Sequence, residues 1–261
     1  MKKRYNWGDA AYDLEVESKY YGEMYRSIID HRPQIVADQF GILHHVFILG
    51  DLFTELDEPP PKTLKITRLE IPLLIRQWIG FRICSYVGAY SAAARTLRWI
   101  YESTLASTVA ATNGSLLLGR TITKPMSESQ FRKWLWKYDH QMVTFPRKDA
   151  IRAIVLSQKD QARYNELYST LCKFSHLSAK HFVHPGWVPD LQLDLKDFDA
   201  VSRYAYRTMD LALYCIIKAI VSQWDVKGFL RGYRDWFRAD SDFAVRREKF
   251  PLTLAIVRKS I

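Results

Sequence analysis

The sequence predicts an all-α protein, a bundle of long antiparallel helices with an N-terminal helical hairpin, and three observations carry that reading. Gly and Pro number only 11 and 10 in 261 residues, too few for a turn-rich β fold. Long segments repeat apolar residues at helical spacing, and 253–257 is the one short stretch that reads as a strand. Finally, Gly88-Ala-Tyr-Ser-Ala-Ala-Ala-Arg95-Thr-Leu-Arg98-Trp-Ile-Tyr-Glu102 is small or apolar except for three charges. At about 100° per residue, Arg95, Arg98 and Glu102 share an arc of roughly 60°. A helix apolar on most sides belongs inside a fold. Charges on it must be paired or used, because an unpaired buried charge is very costly.

The elements follow in order. A first helix is expected over 13–30, ending near His31-Arg32-Pro33, and Pro33 suits the first turn of a second helix running to about 56. Asp57-Glu-Pro-Pro-Pro61 breaks the chain, since adjacent prolines cannot continue a helix. Residues 1–56 therefore form the hairpin, 62–238 the main bundle and 239–261 a C-terminal tail. A helix resumes near Lys62, with Pro72 kinking it or opening a new one, and the long apolar helix runs on to about 112, where Asn113-Gly114 stops it. Ser127-Glu-Ser-Gln130 has the capping-box pattern for a helix to about His140. Pro146 breaks the chain again. Helical pattern returns over 149–180, with a joint at Ser157, then over 197–224, and in a short amphipathic helix over 226–238.

The net charge of +10 is unevenly placed. Residues 1–118 carry 13 positive and 13 negative side chains, and 164–224 carry 6 and 6. The surplus lies in 119–163, with 10 and 4, and in 225–261, with 9 and 5. A localised basic surface is the expectation; a solvated face that only aids solubility is the plainer alternative. Cys84, Cys172 and Cys215 are isolated in apolar helical contexts and read as reduced, buried thiols of a cytoplasmic protein. No signal peptide is visible, and charges interrupt the most apolar runs, so no membrane span is expected.

Two constellations bear chemistry. The first joins Arg95, Arg98 and Glu102 to His176, at the end of Tyr168-Ser-Thr-Leu-Cys-Lys-Phe-Ser-His176-Leu-Ser178. Arg98 and Glu102 stand at i,i+4 and can pair along the helix. Imidazole, guanidinium and carboxylate together can move a proton or stabilise a phosphate transition state. The plainer reading is a hydrogen-bonded network that sets helix register. The second is Arg132-Lys133-Trp134-Leu-Trp136-Lys137-Tyr138, where cations interleave with aromatics at i,i+4. Such cations neutralise phosphates, and exposed rings stack on unpaired bases. The plainer reading has Trp134 and Tyr138 anchoring the helix while the cations face water. Arg231, Arg234 and Arg238 form a related stripe in the second basic segment.

Cys172, His176, His181 and His184 are metal-ligating types, but their spacing matches no standard zinc site; no metal and no cofactor are expected. No Walker A loop, GxGxxG or GxSxG occurs, which argues against P-loop, Rossmann and serine-hydrolase chemistry.

A small-residue helix ending in Arg-x-x-Arg-x-x-x-Glu, followed far downstream by Tyr-x-x-Leu-x-x-x-Ser-His-x-Ser at a helix end, resembles the HEPN-like superfamily of prokaryotic helical bundles over roughly residues 71–224. That resemblance implies a four- or five-helix bundle, often dimeric. Many such proteins are RNases or toxins of toxin–antitoxin and defence systems, with an Arg-x4–6-His catalytic pair, and others are binding modules. His176 takes the place of the family histidine. A gap of four to six residues before it falls on Leu171, Thr170 or Ser169, so the arginine is missing from its own helix. The leading expectation is an RNA-binding homodimer. The alternatives are a metal-independent RNase using His176 and an Arg, and a non-enzymatic scaffold for a protein partner.

Overall fold

The computed structural model describes residues 7–54, 65–114, 116–118, 124–141, 145–155, 157–175, 195–223, 233 and 249–259. Among the described residues the elements are helical and no strand occurs. They are α1 (Trp7–His31), α2 (Pro33–Thr54), α3 (Lys65–Tyr86), α4 (Tyr90–Asn113), α5 (Glu128–Gln141), α6 (Arg147–Ile154), α7 (Gln158–Ser175), α8 (Leu195–Val221) and α9 (Pro251–Lys259), with a 3-10 turn at Leu116–Leu118. The all-α bundle expected from the sequence is the observed architecture.

The long apolar helix expected to reach 112 is two helices. Gly88 separates them with a φ of 73°, a conformation that costs a β-carbon-bearing residue about 1–2 kcal/mol. The Gly88 amide donates to the Ser85 carbonyl at 3.4 Å and the Ala89 amide to the Cys84 carbonyl at 2.8 Å. Those two bonds close the end of α3 as a Schellman motif. Pro72, by contrast, sits inside an unbroken α3 on its exposed face, where water can serve the carbonyl it leaves without a donor.

α4 is the centre, packed against α3, α6, α7 and α8. Its residues 104–111 are buried without interruption, as a helix lacking a polar face requires. Alanines, serines and threonines in this stretch let neighbours approach closely. The hydroxyls turn inward on their own helix: Ser107 donates to the Thr104 carbonyl at 3.1 Å and Thr112 to the Thr108 carbonyl at 2.8 Å. At its end, a β-carbon on Gly114 would stand 2.7 Å from the Met126 backbone nitrogen. Met126 in turn donates its amide to the Ala110 carbonyl at 2.7 Å. Glycine is there because the chain returning towards α5 passes against it.

The hairpin packs on the bundle through α2, which lies against α3 and α8. Trp78 of α3, fully buried and stacked on Phe81 with centroids 4.9 Å apart, donates its indole N–H to the Gln39 carbonyl of α2 at 3.0 Å. At the α1–α2 elbow Arg32 forms a two-point pair with Asp199 of α8, at 2.8 and 3.0 Å.

The C-terminal stretch read from sequence as a tail with a short strand at 253–257 is instead a core element. Pro251 opens α9 and Thr253 is fully buried. The reason is Asp210 on α8, 43 residues earlier. Its carboxylate accepts the Leu252 and Thr253 amides at 3.2 and 2.9 Å and the Thr253 hydroxyl at 2.9 Å, so a side chain from another helix caps α9. Tyr164 of α7 donates a fourth hydrogen bond, at 2.7 Å. Just before α9, Lys249 reaches buried Asp38 on α2 at 2.7 Å, and Tyr206 of α8 donates to the same oxygen at 3.0 Å.

Glu70 on α3 is less well supplied. It is buried and takes one hydrogen bond, 2.7 Å, from the Ser103 hydroxyl of α4. Burial, opposed in part by that bond, pushes its carboxyl up to about 7. The folded chain therefore holds this proton where the unfolded chain has released it. The stability involved is complete below about 4.5 and is lost as pH rises through about 7. Urea unfolding at pH 5 and pH 8 should show wild type losing up to about 3 kcal/mol over this window through this group, whereas Glu70→Gln, neutral at both, should lack that loss. An unchanged pH dependence in Glu70→Gln would place the titration elsewhere.

Candidate functional site

The site grows from the i,i+4 pair on α4. Arg98 donates through Nε to Glu102 at 3.1 Å. Both side chains are half-buried, and Arg95, one turn earlier, is exposed. The Arg98–Glu102 pair read from spacing is therefore present, and Arg95 stands outside it.

Two further helices converge on the same carboxylate. Tyr138 of α5 donates its hydroxyl to Oε2 at 3.0 Å, and Tyr168 of α7 donates to Oε1, which also accepts from Arg98. The Tyr168 ring packs on Tyr101 of α4, with centroids 5.3 Å apart. Tyr101 donates to the Tyr164 carbonyl at 3.1 Å, a second tie between α4 and α7. Arg147, the first residue of α6, lays its guanidinium 4.1 Å from the Tyr168 ring centroid, and the Arg98 guanidinium is 5.4 Å from the same centroid. Four helices thus meet around one acid, two bases and three phenols.

The electrostatics follow from burial and from Glu102. Burial disfavours the Arg98 charge, but the charge and hydrogen bond of Glu102 more than offset this and hold the guanidinium protonated. Burial first, then the hydrogen bond and charge of Glu102, raises the Tyr168 phenol well above its ordinary range. Burial raises Tyr101 in the same way. The phenols therefore serve as donors at neutral pH, not as bases.

The second constellation divides between the two faces of α5. Phe131, Trp134 and Tyr138 face inward. Trp134 is only 5% exposed and stacks between Phe131 and Tyr138, with centroids at 6.0 and 5.4 Å. Its ring is not open to a base, and the Tyr138 hydroxyl is engaged by Glu102. The outer face carries Arg132, Lys133, Trp136, Lys137 and His140, all exposed. Trp136 is 54% exposed and stacks on His140 at 4.8 Å and 14°. His140 is held in place by Nδ1–H, which donates to the Trp136 carbonyl at 2.9 Å. Arg132 pairs with Glu128 at 2.7 Å. The capping box reads as expected, with Gln130 accepting from the Ser127 amide at 2.9 Å.

His176, His181, His184, Arg231, Arg234 and Arg238 lie outside the described residues. Among the described residues no three His, Cys, Asp or Glu side chains are arranged to hold a metal ion, and no helix is long and apolar enough to cross a membrane. No protein-family model, curated protein or solved structure matches the chain.

Sequence reasoning missed Arg147 and the roles of Tyr168 and Tyr138. No spacing rule links them to Glu102, because Tyr138 and Tyr168 reach it from two other helices and Arg147 packs on Tyr168 from a third. The signal present for Arg147 was weak: a cation directly after Pro146, at the start of a short amphipathic helix.

One acceptor shared by three donors predicts coupling. Tyr138→Phe and Tyr168→Phe should each cost about 1–2 kcal/mol in urea unfolding, and the double variant should depart from their sum by at least about 0.5 kcal/mol. Strict additivity would contradict a network built on Glu102.

Proposed function

We propose that this chain is an RNA-binding helical protein of the HEPN-like type. The observation that carries the reading is the outer face of α5, where an exposed indole stacked on an imidazole is bordered by Lys133 and Lys137. An aromatic platform beside flexible ammonium groups suits a single strand. Each base has a face to stack, and each phosphate a charge to neutralise. Exposed Lys148, Arg152 and Lys159 extend the cationic character along α6 and the start of α7, although Arg152 is 3.7 Å from Asp149. The surplus of +6 over 119–163 is thereby presented in large part at the surface. Single-stranded RNA is favoured over duplex, because a paired helix hides the base faces that Trp136 would engage.

The test is binding of a fluorescent single-stranded RNA as a function of salt. With three or four phosphate contacts, log affinity should fall against log salt with a slope of about −2 to −3. Lys133→Ala/Lys137→Ala should make that slope shallower by about 1 to 1.5. Trp136→Ala should cost about 1–3 kcal/mol of affinity while leaving the slope nearly unchanged. A flat salt response, or indifference to all three substitutions, would sink the proposal.

A further inference from the structure

Arg147 is the one arginine among the described residues with a buried side-chain nitrogen that has no hydrogen-bond partner. Its Nε is buried without a hydrogen-bond partner among the described residues, and no carboxylate pairs with its guanidinium. That buried Nε–H has surrendered its hydration without a protein acceptor in exchange. Contact with the Tyr168 ring compensates only in part, because a ring face accepts no directed N–H bond.

Arg98 presents further donors. Glu102 engages its Nε edge, and among the described residues its two terminal amino groups have no protein acceptor. Glu102 accepts from Arg98, Tyr168 and Tyr138 and from no nitrogen of Arg147. Local charge is then two guanidiniums against one carboxylate, an excess of one positive charge. The start of α6 adds to it. Pro146 stands at the cap position with no side-chain acceptor, leaving the helix's positive end uncapped beside Arg147. Exposed Asp149, the acid in that first turn, faces Arg152 instead.

We propose that Arg98 and Arg147, whose guanidiniums lie 5.4 and 4.1 Å from the Tyr168 ring centroid, form a receptor for one singly charged phosphodiester. A monoanion neutralises the local excess, whereas a dianionic monoester would reverse it. The planar forks of two arginines supply the directed donors that phosphate oxygens require. Tyr168 acts as a positioning residue: its ring orients Arg147, and its hydroxyl keeps Glu102 turned towards Arg98. In assigning the phosphodiester to an RNA backbone, the inference rests on the function proposed above. The same chemistry would also hold a small free phosphodiester.

Two probes separate those sources. One is the single-stranded RNA used above. The other is the dinucleoside monophosphate UpU, which has one phosphodiester and no other charge, followed by 31P line broadening at low salt. Wild type should broaden the UpU signal, and Arg147→Gln, similar in size but neutral, should abolish that broadening and weaken RNA binding about tenfold or more. Arg147→Lys keeps the charge but not the fork, and should recover less than half of the lost binding free energy. Thermal melts of both variants establish folding, and if Arg147→Gln does not fold, Arg147→Lys carries the comparison alone. RNA binding indifferent to both Arg147 variants would overturn the inference while leaving the α5 surface standing. Arg147-dependent UpU broadening without RNA binding would support the receptor and remove the RNA reading. No response to either probe would overturn both.

Discussion

Acidic side chains on helices buried nearly all round must be supplied with donors, and the bundle is organised by how each supply is met. Asp210 receives four hydrogen bonds from α7 and α9. Glu102 receives three, from α4, α5 and α7. Asp38 receives Gln34, Tyr206 and Lys249. Each carboxylate thereby fixes the relative register of several helices, something apolar contact alone specifies weakly. Glu70 has the single hydroxyl of Ser103, and the proton it retains near neutrality is the physical consequence. Four acids in one interior thus range from fully supplied to nearly bare.

The same accounting underlies the proposed receptor. Where donors and acceptors balance, as around Asp210 and Asp38, the network only holds helices together. Around Glu102 they do not balance, because a second guanidinium arrives on α6 with nothing to accept from it. That open donor beside a second arginine is the ground for the anion receptor proposed above. The outer surface of α5 is close in the fold: the helix that offers Trp136 to solvent sends Tyr138 inward to Glu102. The same short helix thus carries the proposed stacking surface on one face and, on the other, a phenol that helps to hold Glu102.

The interleaving of cations and aromatics in 130–138 was legible in the sequence, but its meaning was not. An i,i+4 rule makes Trp134 and Tyr138 neighbours and Arg132 and Trp136 neighbours. It does not say which pair faces the core, and the answer reverses the use of each indole. Local patterns did predict the Arg98–Glu102 pair and the Ser127–Gln130 capping box, since both lie within one or two turns of a single helix. The helix at Pro251–Lys259 was not legible, because the acceptor that caps it belongs to α8.

By itself, then, the amino-acid order determined helicity, the places where glycine and proline interrupt it, the burial of the small-residue helix and the uneven spread of charge. All of these depend on backbone geometry and on neighbours a few residues apart. Only the tertiary structure decided that the C-terminal segment joins the core, and that Arg147 and Tyr168 stand beside Arg98 and Glu102. Those outcomes turn on donors and acceptors meeting across helices, and a residue's distant partner leaves no mark on the sequence around it.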